Sequence, residues 1–395
     1  MVTLQNKPPK VILSENPAVL RMTSNLTEVE NHHITVEVSW ASGGLIGTDV
    51  LYPADGESVE TNISEYLQSG FSRLAPTAHF TLPDSSATWS AVPDLIKKYT
   101  VYINDGSGDP PTYQSVILTN RFVLPGRIPL WIKNKFYSQY ESVWNWIYGN
   151  NPFLTFAPKT RFTKPSQIQK LYWQYNYVPE VGWTLSLRIN LRFSDGTSAT
   201  WIKENFYGPL TQYSIYQFHV GYNSLGIPAK VAADYPGKEV VSYSITVMRD
   251  VWPVSEVREY ILNYKPTLGS RELAFRNSLG TFDTILLKGI SLMDMDFTPE
   301  NVNVHGTSSG KASTRTLRTE VSATVKASTG LITAEEQLYI AELLDSREVY
   351  EIVNNKLYPV VITTQSKQLS RDRADLRAVT IEFEPVSNYF EENGD

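Results

Sequence analysis

Residues 184–193 (TLSLRINLRF) alternate polar and apolar side chains without interruption. Successive side chains of an extended chain point to opposite faces, so this pattern is typical of a strand with one buried face. The dipeptide Asp195-Gly196 follows the alternating segment, and it favours the positive φ angles that a tight hairpin turn requires. Extended chain resumes toward Trp201 and Ile202. The sequence therefore predicts a β-hairpin, which needs further strands to bury its apolar face.

The same alternation recurs elsewhere in the chain, which makes a mainly β fold the first expectation. The other alternating segments are residues 34–40, 241–247, 321–325 and 379–383. A length of 395 residues favours two or three domains over a single core. We therefore predict two antiparallel β-sandwich-like domains followed by a small α+β domain with one helix.

The predicted domain boundaries follow changes in composition along the chain. The segments are 1–128 (N-terminal β domain), 129–298 (central β domain), 299–315 (linker or exposed loop) and 316–395 (C-terminal α+β domain). The third segment is small, polar and rich in Gly and Ser, as flexible linkers are. In the last domain, Thr333 and Glu336 form a capping-box pattern, which predicts the helix over residues 335–344.

Residues 131–151 interrupt the strand pattern with many large rings. The segment is predicted to be either a helix or an irregular aromatic loop. Its rings either fill a junction between domains or form an exposed contact surface, since Trp and Tyr provide large contact area at a low entropic cost. On the second interpretation, the residues that contact a protein or a glycan are Trp131, Tyr140, Trp144, Trp146 and Tyr148.

Composition argues against several classes of protein. The chain contains no cysteine, so disulfides, thiolate nucleophiles and thiolate metal sites are excluded. The net charge is −6, and no dense group of Lys and Arg indicates a nucleic-acid partner. The N-terminal residues lack the apolar core of a signal peptide, and no run of about 18 apolar residues predicts a membrane span.

One short motif resembles a catalytic one. Residues 306–310 (GTSSG) fit the G-x-S-x-G pattern, in which Ser308 would be a nucleophile. A hydrolase of that kind needs a histidine later in the chain, and His305 is the last one. The same stretch is one residue short of a phosphate-binding loop, and Ala312 stands where that loop requires Ser or Thr. We therefore expect Ser308 to be dispensable.

Metal and cofactor sites are likewise not expected. No pair of histidines has a metal-ligand spacing, and Asp294 and Asp296 in LMDMDF are interpreted as part of a solvated loop rather than a cation site. The prediction is a protein that is not an enzyme and has no cofactor and no metal. A glycan hydrolase with a pair of carboxylates is a third alternative, but the sequence does not indicate which carboxylates would form the pair.

Three stretches resemble virion structural proteins of tailed phages and prophages of gut-type bacteria. Residues 273–289 (LAFRNSLGTFDTILLKG) resemble a strand–Asn–x–x–Gly–strand signature of those proteins. Residues 321–386 are similar to their closing module, with ASTGL ahead of an acidic helix and YPVVIT after it, and residues 51–66 are similar to an N-terminal part. The resemblance implies that Asn277 and Gly280 form a turn, and it carries over no catalytic residue.

The resemblance implies a structural component of a phage particle, located in the virion as part of the tail, baseplate or collar region. Its partners would be copies of itself in a symmetric ring and other virion proteins. The alternative is a carbohydrate- or receptor-binding module at the tail tip. That module would bind a host-surface glycan by stacking on Trp144, Trp146 and Tyr148.

Overall fold

The computed structural model describes residues 2–26, 31–54, 57–71, 89–108, 112–180, 184–206, 210–265, 269–305, 312–364 and 377–386. These residues form mainly β structure in several antiparallel sheets, which confirms the predicted fold class. The chain divides into two compact units: Met1–Asn263 with Arg276–Asp283, and Tyr264–Phe275 with Thr284–Asp395. The predicted boundary at residue 128 lies inside the first unit and stays a prediction.

The N-terminal part of the first unit contains a three-stranded sheet, β1-β3-β6, and a five-stranded sheet, β2-β9-β8-β4-β5. Apolar side chains of both sheets, such as Met22 and Val36, share one buried core. The elements are β1 (Val2–Asn6), β2 (Val11–Leu13), β3 (Val19–Ser24), β4 (His33–Trp40), β5 (Leu45–Leu51), β6 (Ser58–Asn62), α1 (Ser64–Ser69), β7 (Trp89–Ala91), a 3₁₀ turn (Pro93–Leu95), β8 (Lys97–Ser107) and β9 (Thr112–Leu124).

The rest of the first unit is built around the predicted hairpin. Its elements are α2 (Leu130–Tyr140), α3 (Val143–Asn150), β10 (Thr160–Thr163), β11 (Lys170–Gln174), β12 (Leu185–Phe193), β13 (Ser198–Phe206), β14 (Ile215–His219), α4 (Ile227–Asp234), β15 (Val240–Arg249), β16 (Trp252–Pro253) and β17 (Arg258–Leu262). Strands β10-β17-β15-β12-β13 form one sheet, to which β16 adds, and β11-β14-β7 form another. The apolar face of β12 is fully buried, and Gly196 has a φ of 84°, so the hairpin prediction is confirmed.

The second unit contains most of a seven-stranded sheet in the order β19-β18-β22-β23-β24-β21-β20. Its elements are β18 (Arg271–Arg276), β19 (Phe282–Leu287), β20 (Ser291–His305), β21 (Ala312–Ile332), α5 (Ala334–Asp345), β22 (Val349–Val353), β23 (Lys356–Ile362) and β24 (Arg377–Pro385). The predicted capping box is present at the start of α5. The Thr333 hydroxyl accepts from the Glu336 N–H at 3.3 Å, and the Glu336 carboxylate accepts from the Thr333 N–H at 2.8 Å.

The interpretation of residues 299–315 as a linker or exposed loop is wrong for the part that the structure describes. Strands β20 and β21 form a continuous antiparallel pair with one bulge. The pair runs from Ser291 opposite Ala327 to His305 opposite Ala312. A small, polar composition rich in Gly and Ser suggested a flexible link. Ladder hydrogen bonds use the backbone, however, so polar residues form strands where a partner strand is aligned. Ser308 and its motif lie outside the described residues.

Candidate protein-contact surfaces

The aromatic segment forms two consecutive helices, α2 and α3, so the helical alternative is the correct one. The chain turns between them at Glu141, whose φ is 59°. The Ser142 hydroxyl then caps α3 by accepting from the Asn145 N–H at 3.1 Å. Asn151 ends α3 in the left-handed conformation, with φ 44° and ψ 50°. Local capping chemistry therefore breaks the segment into two short helices.

The inclusion of Trp146 in an exposed contact surface is wrong. Its side chain is only 7% exposed, and it stacks on Phe156 at a centroid distance of 5.5 Å. The edge of its ring also meets Phe136, 5.6 Å away, and half-buried Tyr140 lies 5.2 Å from the same Phe136. The helical period places Trp146 on the same side of α3 as Val143, which is also buried. Trp146 therefore belongs to the interior of the first unit, and Tyr140 borders it.

The other three predicted contact residues reach solvent to different extents. Tyr148 is 62% exposed and Trp131 is 43% exposed. Trp144 is half-buried, because it stacks on Tyr148 at 5.2 Å and its edge meets Tyr213 at 5.9 Å. The Lys10 ammonium lies 5.4 Å above the Trp144 ring. The structure thus joins Trp144 and Tyr148 into one stacked pair.

A second surface, which sequence reasoning missed, lies on the long ribbon of β20 and β21. Strand β24 pairs with β21 only between Val325 and Ile332. Residues 312–324 of β21 pair with residues 294–305 of β20, and among the described residues no third strand pairs with these two segments. We call residues 294–305 and 312–324 the β-arm.

The two faces of the β-arm differ sharply in polarity. Cross-strand register places Met295 opposite Ala323, Phe297 opposite Val321 and Pro299 opposite Thr319 on one face. Leu317 is the extra residue of the bulge, and alternation from Thr319 puts it on this face as well. Four of these apolar side chains remain open to solvent: Met295 (41%), Phe297 (63%), Leu317 (68%) and Val321 (48%). We call this the apolar stripe.

The opposite face of the β-arm carries its charged side chains, with one exposed apolar side chain, Val302 (39%), among them. The Lys326 ammonium donates to Asp294 at 2.7 Å, and Arg318 donates to Glu300 at 2.7 Å. The hydrogen bond with Asp294 raises the pKa of Lys326. Asp294 thus binds a lysine of the adjacent strand. No group of three or more His, Asp or Glu side chains in the described ranges could hold a metal ion.

The apolar stripe continues a face that is covered where the arm joins the sheet. Val325 and Phe383 lie on that face and are fully buried. Tyr339 of α5 packs against Phe275 of the same face at 5.3 Å. Helix α5 therefore covers the wide part of the sheet. The alternation of Met293, Met295 and Phe297 in SLMDMDF was the sequence signal for the stripe.

The turn implied by the phage resemblance is present at residues 277–281. The Asn277 N–H donates to the Thr281 carbonyl at 2.7 Å, and Gly280 has a φ of 81°. A Cβ on Gly280 would collide with Pro125. The Asn277 amide also donates to the buried Asp283 carboxylate at 3.0 Å. Burial raises the pKa of Asp283, although its hydrogen bonds and Arg161 oppose that shift. The cluster has a structural role in the first unit.

A buried basic pair lies on two paired strands of the first unit. Lys170 of β11 and His219 of β14 are cross-strand partners and are 3% and 5% exposed. Burial lowers the pKa of Lys170 to about 7. Burial and the nearby Lys170 lower the pKa of His219 to about 3. The Gln217 amide donates to the His219 ring at 3.2 Å, which the neutral ring allows. These groups therefore favour their neutral forms in the interior.

Comparison with protein-family models and with curated proteins finds no match for the sequence. None of the helices in the described parts of the chain has the length and apolar character needed to cross a membrane. The surface that stands out is therefore defined by geometry alone. It is a two-stranded ribbon with one apolar face and one mainly polar face.

Proposed function

We propose that the protein is a structural component of a phage particle, in the tail, baseplate or collar region, and that it works through subunit–subunit contact. The observation that carries the proposal is the β-arm. The resemblance of residues 273–289, 321–386 and 51–66 to virion structural proteins supports the same reading, and the turn at Asn277 and Gly280 agrees with it.

The β-arm suits assembly because its apolar side chains are exposed to water in the isolated chain, which is unfavourable. A two-stranded ribbon without a third strand is marginally stable in water. Burying the exposed parts of Met295, Phe297, Leu317 and Val321 would contribute about 1 kcal/mol or more for each side chain. None of the described residues covers these side chains, so a partner surface would supply that gain. A set of modest contacts repeated around a closed assembly then gives high overall stability.

A glycan-binding module at the tail tip is less well supported by the geometry. Its predicted stacking residues were Trp144, Trp146 and Tyr148, and a sugar needs the open face of a ring. Trp146 is buried, and one face of Trp144 is occupied by Tyr148. Only Tyr148 of the three is largely exposed.

Light scattering coupled to size-exclusion chromatography, with electron microscopy of the purified protein, tests the proposal. We expect oligomers of defined size, and peptides of this chain in particles analysed by mass spectrometry. A protein that stays monomeric at every concentration and is absent from particles would contradict it. Binding to a glycan array by such a monomer would favour the tail-tip alternative.

A further inference from the structure

We propose that the apolar stripe of the β-arm is covered by the same stripe of a second copy of this chain, face to face about a two-fold axis. This inference rests on the proposed function, because it names the partner that the β-arm contacts. It commits to one surface, the stripe formed by Met295, Phe297, Pro299, Leu317 and Val321.

The β-arm has two kinds of surface that a partner can contact: the apolar face and the two strand edges. An added strand would need regular, unpaired N–H and C=O groups along an edge. Pro299 lacks an N–H, and the register shifts between Glu300 and Asn301. Proline and bulges are the features that protect edge strands from pairing with other chains. The edges of the β-arm are thus interrupted, and the apolar stripe is the available contact.

A two-fold contact places each group near its own copy or near its symmetry-related neighbour, so any charge on the contact face risks meeting a like charge. The described side chains of the stripe carry no charge. The described charged side chains of the β-arm lie on the opposite face, where Asp294 pairs with Lys326 and Arg318 pairs with Glu300. The stripe is therefore compatible with an identical partner.

A standard interface buries about 800 Å² on each partner, of which about 60% is apolar, or roughly 500 Å². Large apolar side chains expose roughly 150–200 Å² when fully accessible. With exposed fractions between 41% and 68%, the four open side chains of the stripe and Pro299 together supply on the order of 400–500 Å². One β-arm stripe thus matches the apolar core that a stable dimer needs.

The resulting contact would be a small two-layer sandwich of two ribbons. Stacked sheets pack about 10 Å apart, with the apolar faces turned inward and the polar faces in water. The polar residues Thr298 and Glu300 would remain on the outside of both ribbons. The stripe would then be covered along its length, as α5 covers the same face of the wide sheet.

Charge insertion tests the contact directly. In sedimentation velocity of the full chain, the double variant Phe297→Asp/Leu317→Asp should raise the dimer Kd at least tenfold, because it buries carboxylates at a two-fold contact. Thr298→Asp/Ser322→Asp is the matched control, since it adds the same two charges on the exposed polar face. At protein concentrations below the dimer Kd, circular dichroism should give the same melting curve for all variants, because these side chains lie outside the buried cores of the monomer.

Cross-linking provides a second, independent readout, since the natural chain has no cysteine. A bismaleimide with a spacer of about 10 Å should link the single variant Phe297→Cys or Leu317→Cys into dimers at least tenfold faster than it links Thr298→Cys. Slow linking of both stripe variants, equal to the control, would overturn the arm-to-arm contact.

The outcomes also separate this inference from the proposed function. If the double Asp variant assembles as well as the wild type, the face-to-face contact is overturned, while assembly itself is confirmed. If the wild type is monomeric in solution but present in particles, the second-copy partner is overturned and another virion protein covers the stripe. If it is monomeric and absent from particles, both proposals are overturned.

Discussion

The helix pair α2–α3 and the β-arm both place large apolar side chains at the surface, yet they differ in what lies behind those side chains. In α3, the exposed Tyr148 has Trp146 on the other side of the same short helix, buried against Phe156. The β-arm has no such layer behind it, because the side chains of residues 294–302, which alternate between its two faces, are all exposed. Exposed rings on a packed helix therefore indicate the edge of a core. Exposed apolar residues on an unsupported ribbon indicate a surface that needs a partner.

Replacing one aromatic ring in each region should give the largest difference between the two regions in the free energy of unfolding. We expect Trp146→Ala to lower the free energy of unfolding by about 3–5 kcal/mol, since it removes a buried aromatic side chain and leaves a cavity. Phe297→Ala in the β-arm should change it by less than about 1 kcal/mol when the protein is measured as a monomer, below the dimer Kd. Urea unfolding followed by circular dichroism measures both. A wild-type unfolding midpoint for Trp146→Ala would show that the ring is not part of the core.

The buried Lys170 in the interior of the first unit should make the stability of the protein depend on pH. The depressed pKa of Lys170 means that, between pH 7 and 9, the unfolded chain binds a proton that the folded chain lacks. The free energy of unfolding therefore rises with pH through this window, by about 2 kcal/mol from this group. The same contribution is lost as the pH falls toward 7. In Lys170→Met, urea unfolding at several pH values should show a correspondingly shallower rise.

The control for that measurement is Lys135→Met, since Lys135 is exposed on α2 and its amine stays in water in both states. Its stability should follow the wild-type pH profile. Equal profiles for Lys170→Met and the wild type would contradict the buried position of the Lys170 amine. Dimerisation through the apolar stripe should not vary over the same pH range, because the stripe carries no ionisable side chain.

A smaller effect is expected at the helix that covers the wide part of the second sheet. Thr333→Ala removes the side-chain half of the capping box of α5 and should cost about 1 kcal/mol of stability. Thr298→Ala makes the same change on the polar face of the β-arm and should cost less than about 0.5 kcal/mol. Urea unfolding distinguishes the two. If Thr298→Ala were the more damaging change, the β-arm would have to be supported by structure within its own chain.

The smallest effect is expected for the ion pairs on the polar face of the β-arm. Asp294→Asn removes the partner of Lys326, and both side chains are well exposed. Exposed pairs of this kind are screened by water, so we expect the Tm to change by less than about 1 °C in differential scanning calorimetry. A loss of several degrees would show that the ribbon depends on this pair for its shape.

Local rules in the sequence were sufficient for several elements. The alternation of residues 184–193 and the Asp195-Gly196 turn predicted the β12–β13 hairpin, and Thr333 with Glu336 predicted the start of α5. Each of these signals depends on residues that are close together in the chain. For this reason a single sequence was enough to identify them.

The sequence left open whether Trp146 lies in the interior or on a contact surface, and it missed the β-arm. The rings of residues 131–151 are divided between two consecutive helices, which a turn at Glu141 separates. Their spacing along the chain therefore did not reveal which rings share a face. The segment 299–315 was polar enough to suggest a linker, although SLMDMDF carried the period of a strand. The pairing of β20 with β21 joins residues up to 36 positions apart (Ser291 and Ala327). No local pattern in the sequence encodes such a pairing.

The sequence by itself determined which residues of each strand or helix share a side, because that follows from the period of the backbone. The tertiary structure decided which of those sides are covered. On one and the same sheet face, Val325 and Phe383 are buried at the end where α5 packs, and Phe297 and Leu317 are open along the β-arm. The residues have similar apolar character in both places. What differs is the presence of a second layer within van der Waals reach, and that depends on contacts between distant parts of the chain.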